Sequence, residues 1–224
     1  MFDFDLHSAL RMLAVALVPA MLGIILHEVA HGWVARLCGD HTAESQGRLT
    51  LNPLPHIDPL GLAVFGLTSV AGSFVFGWAK PVPVDPRNFR DAKRDMALVS
   101  IAGPATNFLL AIAFGVLLWA IVRIFPYAEH SANSVYNFAL QSCQAGVLIN
   151  FGLGWLNLMP VPPLDGSKIL AYFLPRDLAW RFLSWERYGF VIFLLLLFTG
   201  ILGNILGPLI RYSAIALLSL LGFN

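Results

Sequence analysis

Two stretches of this chain, 105–122 and 189–202, carry no charged side chain. The first is long enough to be read as a membrane helix, which an uncharged apolar run of about 18 residues or more suggests. The rest of the composition agrees. Hydrophobic residues make up 58% of the 224 positions and charged residues 12%, about half the usual charged share. The mean hydropathy is +0.73. A water-soluble chain of this size has too little interior to hide that much apolar surface, so the sequence describes an integral membrane protein. That excludes a soluble enzyme, a disordered tail and a disulfide-stapled secreted module. The expectation is a single membrane-embedded domain over 1–224, with little room for a second folded unit outside the bilayer.

Fourteen basic and thirteen acidic side chains nearly cancel, and no basic stripe points to nucleic acid. Cys38 and Cys143 are too few for a disulfide framework and read as small apolar-side residues. The N-terminus MFDFDLH is acidic where a signal peptide needs positive charge, so the first apolar run is expected to be retained.

Five or six apolar segments can be marked: from about Ala9 to Arg36, then about 60–79, 96–124, 138–160 and 188–206, with a last stretch at 207–223 that contains Pro208 and Arg211. Basic residues set the orientation. Arg36, Arg48, Lys80, Arg87, Arg90, Lys93 and Arg94 fall in 36–95, and Lys168, Arg176, Arg181 and Arg187 in 161–187, whereas 126–137 has none. Both basic regions are expected on the cytoplasmic side of the plasma membrane, and 126–137 outside. Segments three and four then form an out-and-back pair, and 36–58 joins the same side only if 60–79 enters and leaves by one face. Its glycines and hydroxyls suit such a re-entrant loop, since irregular backbone is tolerated at membrane depth beside protein or a wet cavity. A plain spanning helix is the rival. The fold expected is an all-α polytopic membrane protein of about five to six helices, with a re-entrant, partly β-hairpin segment near its site.

The first segment ends in HEVAH, residues 27–31. On a helix, positions i and i+4 share a face, so His27 and His31 can both bind one Zn²⁺. Glu28 is offset by about 100° and can act on a water there as general base. Ionisable groups on a membrane helix are costly and mark functional sites by default; the plain alternative is a helix that ends at the interface. Catalytic zinc usually takes three protein ligands. The fourth segment ends in NLMPVPPLDG (157–166), where Pro160, Pro162 and Pro163 stop the helix and Asp165 follows the break. Alone, Asp165 reads as a turn or cap residue before a helix at 167–174. Beside HEVAH, it reads as the third ligand, on a non-helical hook that points back toward the metal.

HEVAH on one membrane helix and N-x-x-P-x-P-x-L-D-G on a later one resemble the site-2 protease family of intramembrane zinc metalloproteases. GRLTLNPLPHIDPLG (47–61), FGWAKPVPVDPRNFR (76–90) and GPATN (103–107) look like its small bacterial and archaeal branch, which lacks PDZ and CBS domains. The similarity covers about 20–175, with a catalytic core expected at about 9–175 and C-terminal membrane helices at about 188–223. It implies one zinc per chain held by His27, His31 and Asp165, Glu28 as general base, and Asn107 as a catalytic asparagine facing the active site. Asn107 could donate to a substrate carbonyl or oxyanion; its alternative role is hydrogen bonding between helices. The substrate implied is a transmembrane protein or peptide in the lipid bilayer, cut in or near its membrane segment, as in regulated intramembrane proteolysis.

A transmembrane substrate must unwind before it can be cut, and a strand edge could pair with it. QGRLTLN (46–52) alternates like a strand, and FVFGWAKPVPV (74–84) has strand-like residues with prolines that confine it to an edge. Ordinary loop hairpins are the alternative for both. His56 and Asp58 are either partners of the ligands or part of a surface turn; His41 and Glu44 read as solvated. His7 and His130 fall on the outer side, and Asn150 reads as glue between helices. Trp78, Tyr127, Trp185 and Tyr188 read as interface anchors. Two other functions compete: a transporter or metal-ion permease lined by the same groups, and a zinc-binding relative that does not cleave. The first needs ionisable residues through several segments, and intact Glu28 argues against the second.

Overall fold

The computed structural model describes residues 6–61, 63–64, 79–125 and 133–223. Eight α-helices are named here: α1 (Leu6–Leu37), the single turn α2 (Thr42–Ser45), α3 (Ala92–Ile124), α4 (Ser134–Asn157), α5 (Asp165–Phe173), α6 (Arg176–Leu183), α7 (Gly189–Phe198) and α8 (Ile201–Leu220). Among the described residues, three helical stretches are long and apolar enough to cross a membrane: Leu10–Leu37, Ala92–Ile124 and Ile201–Leu220. α4 has the length, about 36 Å at 1.5 Å per residue, but its face carries Asn137, Gln141, Gln144 and Asn150.

The starts of α3 and α4 are written locally. Asp91 accepts from the backbone N–H groups of Lys93 and Arg94, and Asn133 from those of Val135 and Tyr136, satisfying donors that a helix start leaves unpaired. α1 and α3 run antiparallel, with matched stripes of every fourth residue facing each other: His31 meets Val99, and Gly23 meets Asn107. α3 and α4 are also antiparallel, joined across Asn107–Asn150 and by Phe108 against Phe151 and Trp155. α8 closes the far side by packing Ala214 against Ala111, Val147 and Phe151, and the Trp155 indole donates to its Ser213 Oγ at 3.0 Å. α5 lies along the start of α3, where the Lys93 ammonium donates to the Leu174 carbonyl at 2.9 Å.

α1 therefore ends where α3 begins, and α4 ends there too, so the basic residues of 36–58 and 79–95 gather at one end of the bundle. The re-entrant reading of 60–79 falls mainly on residues 62 and 65–78, outside the described residues. Elsewhere the expected segmentation needs correction. The boundary between the stretches 188–206 and 207–223 falls earlier than expected: α7 is 10 residues long, about 15 Å, half the hydrocarbon thickness. The break comes at Gly200, whose φ of +75° is open to glycine without steric cost. Pro208 lies inside α8 rather than at its start.

For the β expectation, the single pairing among the described residues is an isolated antiparallel bridge between Ile57 and Ala79, and 74–78 of the second candidate strand lie outside them. Residues 46–52 are turn and bend. Thr50 and Asn52 side chains accept from the backbone N–H groups of Asn52 and Leu54, local bonds that compete with a strand ladder. Residues 79–85 run from the bridge at Ala79 to the extended Asp85 with no ladder between. Pro81 and Pro83 have no N–H, Glu28 and Asp40 accept from the Val82 and Asp85 N–H groups, and Arg48 donates to the Lys80 and Pro81 carbonyls.

Candidate metal centre

His27 and His31 stand one turn apart on α1, and Asp165 is the first residue of α5 rather than part of a hook before it. Its place at a helix start sets the positive end of the backbone dipole behind the carboxylate. The three are buried together. Asp165 Oδ2 lies 3.2 Å from the Nε2 of each histidine, and the two Nε2 atoms are 2.9 Å apart.

The far sides of both rings are held. His31 Nδ1 is 2.7 Å from the Val99 carbonyl, and His27 Nδ1 is 2.7 Å from Asn107 Oδ1. Both partners are acceptors, so each Nδ1 carries the proton, and each neutral ring turns an Nε2 lone pair inward. Asp165 Oδ2 is buried with no hydrogen-bond donor. Three lone-pair donors thus converge with nothing positive between them, which is the chemistry of a cation site. Tetrahedral ligands 2.0–2.1 Å from zinc would stand about 3.3 Å apart, so the two 3.2 Å spacings to Asp165 fit and the 2.9 Å between the histidine nitrogens is a few tenths shorter. Two imidazoles and a carboxylate are a donor set that catalytic zinc uses, and buttressing of the second ring nitrogen is usual for zinc-bound histidine.

Gly103 makes the approach possible. A Cβ on it would fall 2.5 Å from His27 Cε1 and 2.5 Å from His31 Nε2. Only a glycine lets α3 come this close to both rings.

Asn107 is fully buried. Its Oδ1 receives the His27 proton, while its Nδ2 donates to the Gly23 carbonyl and to Asn150 Oδ1, each at 3.1 Å. Both amide hydrogens are engaged within the bundle, so this arrangement leaves none for a substrate oxygen. Glu28, half-buried, points to the extended segment: Val82 N–H donates to its Oε2 at 2.7 Å. Arg48, counted above among the basic residues that set the orientation, is buried and donates through Nη2 to the Lys80 and Pro81 carbonyls at 2.8 and 3.2 Å. His56 is buried away from the centre, with Nε2 2.9 Å from the Thr50 carbonyl, and Asp58 caps a turn at Gly61. His41 and Glu44 form an exposed pair at 2.7 Å. Cys38 and Cys143 are free and buried. Sequence reasoning missed Gly103 and Val99, although both lie on the stripe that Asn107 defines at four-residue spacing.

Asp40, just past α1, moors the start of 85–91. Its Oδ1 accepts from Thr42 N–H and hydroxyl and from Asn88 Nδ2, and its Oδ2 from Asp85 N–H at 2.8 Å. Burial pushes this carboxyl up, but the bonds from Thr42, Asn88 and Asp85 together hold it below the ordinary value. Asp85, paired with the Arg87 guanidinium, is held at about 2. A lowered folded value means that the stabilisation is present above the unfolded pKa, about 3.9 for aspartate, and is lost as pH falls through the folded one. Hydrogen exchange is expected to show the Thr42 and Asp85 amides protected near neutrality and released in acid. In Asp40→Asn the Asp85 amide should exchange faster at every pH.

An embedded bundle with a buried two-histidine, one-carboxylate centre defines a membrane metalloprotease of the HEXXH kind. The comparisons agree: the model of peptidase family M50 matches residues 85–199. A Bacillus subtilis protein designated "Putative zinc metalloprotease YwhC" is 34% identical over 218 residues, 97% of this chain and 95% of its own length. Rip2 of Mycolicibacterium smegmatis, with the same kind of designation, is 33% identical over 82% of this chain and 66% of its own length. MJ0611 of Methanocaldococcus jannaschii is 26% identical over 81% of this chain and 80% of its own length. No solved structure matches the chain. The chain belongs to peptidase family M50, the site-2 proteases, and is a zinc metalloprotease.

Proposed function

We propose that this protein is an intramembrane endopeptidase that hydrolyses peptide bonds in or near transmembrane segments of membrane-anchored proteins, from the cytoplasmic side of the plasma membrane. The observation that carries this reading is that the centre is built on a helix long and apolar enough to cross a membrane. His31 and His27 lie six and ten residues from the end of the apolar stretch Leu10–Leu37. A membrane-anchored substrate can reach a centre placed there. The basic residues clustered at that end support a cytoplasmic orientation.

In this reading His27, His31 and Asp165 hold one zinc per chain, which when bound supplies Lewis acidity, acidifying a water and polarising a carbonyl. Glu28 takes the proton of the attacking water and returns it to the leaving amine. Val82 N–H pins Oε2, which leaves Oε1 to accept that proton. Asn107 acts on His27 rather than on substrate. The single domain over 1–224 combines this core with α7 and α8. A transport pathway is less well supported, because 96–122 of α3 and all of α4 contain no ionisable side chain other than Tyr136 and Cys143.

The test is zinc analysis of purified protein in detergent, with cleavage of a model transmembrane substrate. Wild type is expected to hold one zinc and cleave. Asp165→Ala removes a direct ligand, so its affinity should fall by at least the upper figure for lost supporting partners, about 100-fold, and cleavage should go with it. Cleavage by metal-free Asp165→Ala protein would overturn the proposal.

A further inference from the structure

We infer that Asn150 is a positioning residue for the metal centre: it fixes, through Asn107, which nitrogen of His27 faces the ion. The inference rests on the metal-site reading above and extends it by one residue. The two ends of an amide side chain are told apart by their partners, and here the backbone supplies the reference. Asn150 lies 3.0 Å from the Gly146 carbonyl one turn earlier on α4. A carbonyl only accepts, so Asn150 turns its NH₂ to Gly146 and its oxygen to Asn107. Asn107 faces two acceptors, this oxygen and the Gly23 carbonyl, and must give both its hydrogens, one to each. Its own oxygen is thereby left for His27, which can meet it only by protonating Nδ1. The lone pair then falls on Nε2, beside His31 and Asp165.

Each link is a donor–acceptor match that fails if the preceding amide turns over. Asn107 and Asn150 are both fully buried, so bulk water does not substitute. The packing leaves no slack either: a Cβ on Gly23 would come within 2.6 Å of Asn150 Oδ1. A residue serving only to hold helices together would have no need of a fixed polarity. Here the carbonyl of one α4 turn sets the tautomer of a histidine on α1.

Leucine has nearly the shape of asparagine and no acceptor. Aspartate, kept neutral by its apolar surroundings, can donate its O–H to Gly146 and accept from Asn107, restoring the same polarity. Zinc affinity is measured on the full-length protein in detergent by competition with a chromophoric chelator, with helicity followed in parallel. Asn150→Leu is expected to bind zinc about 10-fold more weakly, the lower end for loss of a supporting partner, and Asn150→Asp close to wild type. If the leucine variant does not fold, Asn150→Ala takes its place with the same expected loss. Wild-type affinity in the leucine or alanine variant overturns the inference, as does an aspartate variant as weak as leucine. Failure of the metal site itself would look different, since wild type would then hold no zinc.

Discussion

Glu28→Gln is expected to keep its zinc and lose cleavage by about 10³-fold or more, the middle to upper part of the range that a positioned general base contributes. The substitution keeps size and shape, and the amide oxygen can still accept from Val82 N–H, so the extended segment stays in place. What it removes is the capacity to take a proton. His27, His31 and Asp165 are untouched, so metal content should equal that of wild type. Comparing zinc stoichiometry with turnover of a transmembrane substrate separates the two effects. Normal cleavage by this variant would show that the proton goes elsewhere, and the proposed mechanism would fall.

Gly103→Ala is expected to lower zinc affinity by about 10- to 100-fold while leaving the helices formed. The added methyl meets both imidazoles at 2.5 Å, well inside van der Waals contact, so α3 or the rings must move. Overpacking of this kind costs about 1–3 kcal/mol, and each 1.4 kcal/mol is tenfold in affinity. The damage falls on the metal because Val99 and Asn107, which hold the two Nδ1 atoms, lie on the same face of α3. Backing that face away stretches both supports at once. Chelator competition with circular dichroism checks this; unchanged affinity would mean that the close approach is dispensable.

Much of this centre could be read in advance because its chemistry follows helix periodicity. HEVAH places two rings on one face whatever surrounds it, and beside it an aspartate after a proline break, which alone would read as a turn or cap residue, reads as a ligand. The start of α5 was less legible. Asp165 is its first residue, although the prolines before it suggested a longer irregular stretch. The role of Asn107 stayed open between two readings for a different reason. An asparagine in a motif can serve substrate or structure, and only the carbonyls facing it, Gly23 on one helix and Gly146 through Asn150 on another, decide which. The alternation in 46–52 misled because side chains of Thr50 and Asn52 hydrogen-bond locally, which a pattern of polar and apolar residues does not encode. The break at Gly200 was hidden by an unbroken apolar run, while Pro208 drew attention to the wrong place.

The three inward-facing groups come from the first helix and from α5, with α3 and α4 between them in the chain. A polypeptide still leaving the ribosome therefore carries both imidazoles in the bilayer long before the carboxylate has been translated. Until α5 is made and docked the cluster lacks one of its three donors. Assembly of the centre is thus set by the order of synthesis.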